Sequence, residues 1–312
     1  MKLRAAKWAM SLMPNKPTIW NHFGNETFRH PAYVHGSQSE RDRILQSASQ
    51  FRYEVEQEMP FQIYFGRPIE PFFRDKVVLD LGCLTGGRAV AWGVKYGTRE
   101  MHGIDLSPEY IEAATRLARQ KALKSRFVVA AGEHLPFAGQ SYDTIASYDV
   151  LEHVRSVPAV LEECWRVLKT GGYLLVVFPA FLNPIEHHLF LATRTPALHW
   201  FFPGDILMKA YDEIISRRGE PARWYARQSA GLEPWERLHT INGTSIREFR
   251  KMIDGRRWTI VEERYPGLFF TGRRAQRSRV LMLVSRLNGL LAKIPPLREV
   301  LADRMVFVLE RK

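Results

Sequence analysis

Cysteine is nearly missing from this 312-residue chain, which has only Cys83 and Cys164. Both sit inside otherwise regular apolar segments and build no disulfide framework. That excludes a stapled secreted scaffold and points to a reducing, cytoplasmic setting. No apolar run approaches the roughly 20 residues needed to cross a bilayer. The start, Met1 to Met13, is basic and partly apolar but has no clear cleavage site, so it reads as a helix able to lie on a surface. Internal repeats and low-complexity tracts are absent too. Acids are in deficit: 33 Asp+Glu against 45 Lys+Arg leave a formal net charge of +12. The imbalance is concentrated from Thr240 to Lys312, where 16 basic residues face 7 acidic ones. Such an excess suits nucleic-acid phosphates, an anionic membrane or phosphorylated substrate, or a plain solvated face.

What the chain does have is VVLDLGCLTGGRAV, from Val77 to Val90. An apolar run ends in Asp80, a turn with Gly82, Gly86 and Gly87 follows, and a helical pattern begins. A buried strand that hands a glycine turn to a helix brings backbone close to a nucleotide-like ligand. The next strand, Glu100 to Asp105, ends in an acid 19 residues after Gly86, a spacing suited to gripping a ribose hydroxyl pair. Further strands read at Phe127–Ala131, closed by Gly132-Glu133, at Tyr142–Tyr148, closed by Asp149, and at Tyr173–Phe178. Helical patterns lie between them, at Pro108 after the N-cap Ser107 and from Val157 to Leu168. Strands alternating with helices imply a mostly parallel sheet covered on both sides.

These blocks resemble the class I S-adenosylmethionine-dependent methyltransferases, within them the small-molecule group that includes ubiquinone-type O-methyltransferases. The resemblance rests on LDLGC (79–83), GIDLS (103–107), AAGEHLPF (130–137), YDTIASYDVLEHV (142–154) and WRVLKTGGYLLVVFP (165–179), about a third of the chain. It implies a doubly wound, mostly parallel seven-stranded α/β sheet, Rossmann-like, with an antiparallel terminal hairpin, which Trp258–Tyr265 and Arg304–Arg311 would supply. It also implies S-adenosylmethionine as cofactor and S-adenosylhomocysteine as product. Asp80 would sit near the methionine ammonium. Gly82, Cys83 and Leu84 would lie along the cofactor with Gly86, Asp105 would take the ribose hydroxyls, and Leu106 would pack on adenine. Gly132 and Glu133 would flank the adenine amino group, and Asp149 would face the methionine end. The family usually has a second glycine where this chain has Leu84. Asp149, Glu152 and His153, spaced as on one helix face, would suit a divalent ion, as in some relatives. The metal-free role of this block in many others is preferred.

The methyltransferase domain is expected over 71–312, behind a helical extension or lid over 1–70. In that extension Ser39–Met59 is a helix with Ile44, Phe51, Val55 and Met59 as apolar positions. Two insertions interrupt the domain. The first, about 180–242, leaves from the edge where open α/β sheets bind ligands and should help form the substrate pocket. It holds His187 and His188, first choices as general base, with His153 and His239 in reserve. Its many aromatics suit either a stacking pocket or insertion core. The second, about 266–303, runs from an arginine cluster into Val280–Ile294, which reads either as a buried helix or as a basic amphipathic helix for peripheral membrane contact. The family's block for planar-nitrogen acceptors is absent at Ser147–Val150, which disfavours DNA bases. The expected reaction is methyl transfer to a hydroxyl of a small molecule or of a glycan- or lipid-linked acceptor. An RNA methyltransferase and a non-catalytic cofactor-binding scaffold are the alternatives.

Overall fold

The computed structural model describes residues 1–15, 36–185, 188–189, 192–217, 242–253, 255–270 and 278–312. The apolar runs become strands, with the expected Phe127–Ala131 shifted to Ser125–Val129 and Tyr173–Phe178 extended back to Leu168. These are β1 (Val77–Leu81), β2 (Glu100–Asp105), β3 (Ser125–Val129), β4 (Tyr142–Tyr148), β5 (Leu168–Phe178), β6 (Trp258–Arg264) and β7 (Met305–Arg311). They form one sheet in the order β3-β2-β1-β4-β5-β7-β6. The first five run parallel, and β7 lies antiparallel between β5 and β6. This is the doubly wound sheet with a terminal antiparallel pair that the sequence implies.

The described helices are α1 (Lys2–Leu12), α2 (Gln38–Glu58), α3 (Gly87–Tyr96), α4 (Pro108–Gln120), α5 (Val157–Val167), α6 (Leu198–Phe201), α7 (Gly204–Ser216), α8 (Ile246–Met252), α9 (Arg279–Leu291) and α10 (Pro295–Leu301). Ser107 caps α4, accepting from Tyr110 N–H, and Ser245 and Glu248 form a reciprocal capping box on α8.

Alternation along the strands divides the core in two. Leu79, Leu81, Leu174, Val176, Phe178, Phe307 and Leu309 join Val160, Cys164 and Phe249 from α5 and α8 on one face. Val78, Leu175, Val177, Val306 and Val308 join Phe73 and Trp92 on the other. The two-residue period leaves neither face of the central strands in water, as a parallel sheet requires.

Helix α2 packs across α3 and α4. It buries Ile44, Leu45 and Ala48, but Phe51 is exposed and Val55 and Met59 are only partly covered. The expected apolar stripe is therefore corrected. The contact is made through small residues, because the backbone comes so close that a Cβ on Gly87 would stand 2.3 Å from the Ser49 carbonyl. Helix α1 does not lie free on the surface. It buries Ala6, Ala9 and Met10 against Leu207, Tyr211 and Ile215 on the side of α6 and α7, and Pro14 bridges to Thr193. Thus the extension and the first insertion are packed together.

The second insertion is not an ordinary buried helix: Ser285 is the one buried residue within α9. Among the described residues no helix is long and apolar enough to cross a membrane. The arginine cluster 273–277, His187, His239 and the insertion aromatics Phe190, Trp224, Tyr225 and Trp235 lie outside the described residues.

Candidate active site

Parallel strands deliver their ends to one edge, and the singled-out acids are there. Asp80, one residue before the end of β1, is 4% exposed. Burial pushes its carboxyl up to about 8, an effect Arg88 partly offsets and Asp105 and Glu56 reinforce. No hydrogen bond reaches the Asp80 carboxyl among the described residues. Gly82 turns the chain at φ 74°, and a Cβ there would stand 2.5 Å from Val150 Cγ2. The glycine is required first by the loop after β4. Gly86, also at positive φ, makes way for α4, since its Cβ would meet Ala114 Cβ at 2.4 Å. Cys83 is buried, which raises its thiol well above the usual range. Leu84 holds the left-handed conformation, φ 48°, which a glycine would adopt without a Cβ penalty.

Asp105 ends β2. Its Oδ2 accepts from Leu84 N–H at 2.9 Å and its Oδ1 from Ser107 N–H at 3.1 Å. Burial raises its carboxyl in spite of these bonds. Each oxygen keeps a further lone pair for a ligand. Leu106 beside it is 70% exposed, an apolar plate open to solvent. Gly132 packs towards Val160 and Leu81. Glu133 is turned inward: its Oε1 accepts from the N–H groups of Arg155 and Ser156, tying this loop to the start of α5.

The Asp149–His153 block does not begin a helix. It is a turn that precedes α5, and Asp149 itself is left-handed at φ 53°. Its carboxylate pairs with Arg304 just before β7, Nε to Oδ1 3.0 Å. The expected one-face grouping of Asp149, Glu152 and His153 is therefore corrected. A different trio converges: Glu152, His153 and His188 each place one ligand atom within 4.8 Å of the others. The His153 and His188 rings stand 5.0 Å apart. Asn242 holds the turn by donating to the carbonyls of Leu151 and Val154.

Sequence reasoning missed a cationic wall. The Arg88 guanidinium lies 3.9 Å over the Tyr148 ring, and its Nε reaches Glu56 at 3.2 Å. Burial would lower Arg88, but Tyr148, Glu56, Asp80 and Asp149 outweigh it and raise the group. Arg52, from α2, is pushed down to about 10 by burial and then by Arg88, with Tyr148, Asp149 and Tyr110 opposing. Among the described residues no hydrogen bond or close ion pair holds the Arg52 guanidinium. Tyr64 and Tyr148 share a 2.6 Å hydroxyl contact behind this wall, and burial pushes Tyr148 up to about 12. The available signal was Arg52 and Glu56, two charges four apart on a face that also carries buried Ala48 and Ser49.

Comparison with known proteins places these observations. Residues 79–176 match the family described as "Methyltransferase domain". Norajmaline N-methyltransferase of Rauvolfia serpentina is 27% identical over 154 residues, 49% of this chain and 48% of the relative. Ubiquinone biosynthesis O-methyltransferase of Cereibacter sphaeroides is 26% identical over 164 residues, 47% of this chain and 65% of the relative. The chain thus spans roughly half to two thirds of these relatives. In fold it is similar to geranyl diphosphate C-methyltransferase from Streptomyces coelicolor, with a TM-score of 0.50 at 16% identity, covering 100% of this chain and 98% of that one.

Proposed function

We propose that this chain, which belongs to the class I S-adenosylmethionine-dependent methyltransferases, transfers a methyl group to a hydroxyl of a small molecule or of a glycan- or lipid-linked acceptor. When bound, S-adenosylmethionine supplies an electrophilic methyl on a sulfonium sulfur. The observation that carries the reading is a pair of ionisable groups at the glycine turn, Asp80 and Arg52, whose side chains make no hydrogen bond among the described residues. Arg88 acts more strongly on the Asp80 carboxyl but is paired with Glu56, which leaves Asp80 and Arg52 as the pair. An amino-acid end with one ammonium and one carboxylate suits that pair. Asp105, already oriented by two backbone N–H groups, suits a ribose diol, and exposed Leu106 suits a flat base.

The chain's own residues then have distinct tasks. Arg304 holds Asp149 at the mouth. His153 and His188, side by side over the turn after β4, are the described candidates to accept the hydroxyl proton, with His187 adjacent in sequence. Positioning and proton removal are what such a displacement asks of protein. Glu152, His153 and His188 would instead suit a divalent cation, so the assignment of the base depends on chelation.

Titration with S-adenosylmethionine followed by turnover with labelled cofactor in a metabolite or glycan extract tests this. Asp105→Ala and Arg52→Ala should each weaken cofactor binding by about tenfold or more, the loss of one charge-assisted hydrogen bond at ~1.5–3 kcal/mol. Changing His153 and His188 to Ala together should stop methyl transfer while binding persists. Turnover is expected to survive exhaustive chelation. Loss that added magnesium restores would assign the trio to a metal. Binding without any labelled product would leave a scaffold, and labelled RNA would leave the nucleic-acid alternative.

A further inference from the structure

Helix α9 is built inside out. Val280, Leu283, Leu287 and Leu290 step by three or four residues and form one apolar stripe on α9, and Ile294 and Leu297 at the start of α10 continue the exposed apolar surface past the turn, all six being 37–70% exposed. The opposite face is small. Ser285 Oγ donates to the Gly267 carbonyl at 3.1 Å, Ala292 is buried, and a Cβ on Gly267 would stand 2.1 Å from the Ser285 carbonyl. The helix therefore rests on the 267 backbone through small residues and turns its large apolar side chains to water. A soluble helix normally does the reverse, and a contiguous exposed apolar face marks a contact surface.

Charge identifies what that surface meets. Arg279, Arg286 and Lys293 recur every seven residues, each one position before one of these apolar residues, and all three are exposed. At 100° per residue Arg279 and Arg286 line a single border of the stripe within α9, and Lys293 follows in the turn just past its end. No acid occurs from Arg279 to Arg298, and the next one, Glu299, is occupied by the N–H groups of Ile246 and Arg247. A second copy packed stripe to stripe would meet the same basic borders with no acid to neutralise them. An anionic lipid surface offers acyl chains to the stripe and phosphates to its border.

We infer that α9 and the start of α10 form a docking face for anionic membrane. The inference stands on these residues alone and not on the acceptor reading. The insertion leaves β6 and returns through Asp303 and Arg304, which pairs with Asp149, so docking brings the candidate active-site edge to the lipid boundary.

Flotation of the full chain with vesicles tests it. Phosphatidylcholine vesicles containing roughly 30% phosphatidylglycerol should retain the protein, and pure phosphatidylcholine should not. The double variant Leu283→Glu, Leu287→Glu should lower retention by about tenfold or more, and Arg286→Gln by about fivefold. Both should keep the parent melting temperature and S-adenosylmethionine affinity, since these side chains face solvent. Failure to float with anionic vesicles at low salt overturns the inference, as does unchanged retention in the double variant. A concentration-dependent dimer that the double variant abolishes, with no vesicle binding, would reassign the stripe to self-association.

Discussion

Leu84 shows what one side chain can cost at a glycine position. Its left-handed backbone, φ 48°, is held by the N–H bond to Asp105, in a region that costs a residue with a Cβ roughly 1–2 kcal/mol. Leu84→Gly should therefore leave thermal stability unchanged or slightly higher. Leu84→Val, branched at Cβ, should lower it by ~1 kcal/mol or more. Equal melting of the two variants by calorimetry would show that the loop relaxes freely. Asp80 carries a pH signature of its own. Its folded-state carboxyl titrates near 8 instead of in the ordinary carboxylate range, chiefly through burial. The native state thus binds this proton more tightly than the unfolded chain does. The contribution to stability is fully present below the ordinary carboxylate range, declines as pH climbs from about 4 towards about 8, and is lost above that. A cationic ligand beside Asp80 should expel the proton. Calorimetric titration near pH 7, in buffers of different ionisation enthalpy, should show net proton release that Asp80→Asn removes. Binding heats identical in all buffers would exclude Asp80 from the ligand's ammonium.

At the scale of elements, what was legible depended on range. Ser107 with Pro108 states its helix start within two residues, and the structure obeys it. Strand ends were legible where an acid closes the run, as at Asp105 and Asp149, but Phe127–Ala131 was read two residues late, the strand being Ser125–Val129. Phe51 was misread because a helix docked through Ala48 and Ser49 onto Gly87 has no apolar stripe to detect. The Arg304–Asp149 pair joins positions far apart in the chain, and no local spacing announces it. Asn183 is similar. It is fully buried, its Nδ2 donates to the carbonyls of Ala302 and Asp303, and its Oδ1 accepts from Ile185 N–H. One side chain thereby fastens the first insertion to the strand that follows the second. Asn183→Ala strands the Ala302 carbonyl, since the Asp303 carbonyl keeps Arg304 Nη1 and Ile185 is exposed, and should destabilise the protein by ~1–3 kcal/mol, the cost of one unsatisfied buried group. Denaturant unfolding measures it, and a loss below ~1 kcal/mol would mean that water replaces the amide.

Across the whole molecule, the sheet was the most readable feature, because seven short apolar runs recur in order along the chain. The edge that carries the site was less so, since it is assembled from α2, the turn after β4, the first insertion and the residue before β7. The position of β7 has one more consequence. Phe178 and Met305 are register partners, yet both insertions lie between them in the chain, and β6 touches the sheet only through β7. During folding β5 must therefore keep a bare row of amides and carbonyls until the distant strand arrives. That closure is of high contact order and hence slow, and an unpaired edge of LLVVF is a template for other chains. The interval before β7 docks is when this protein is most exposed to aggregation, and a chaperone acting on it would have its greatest effect there.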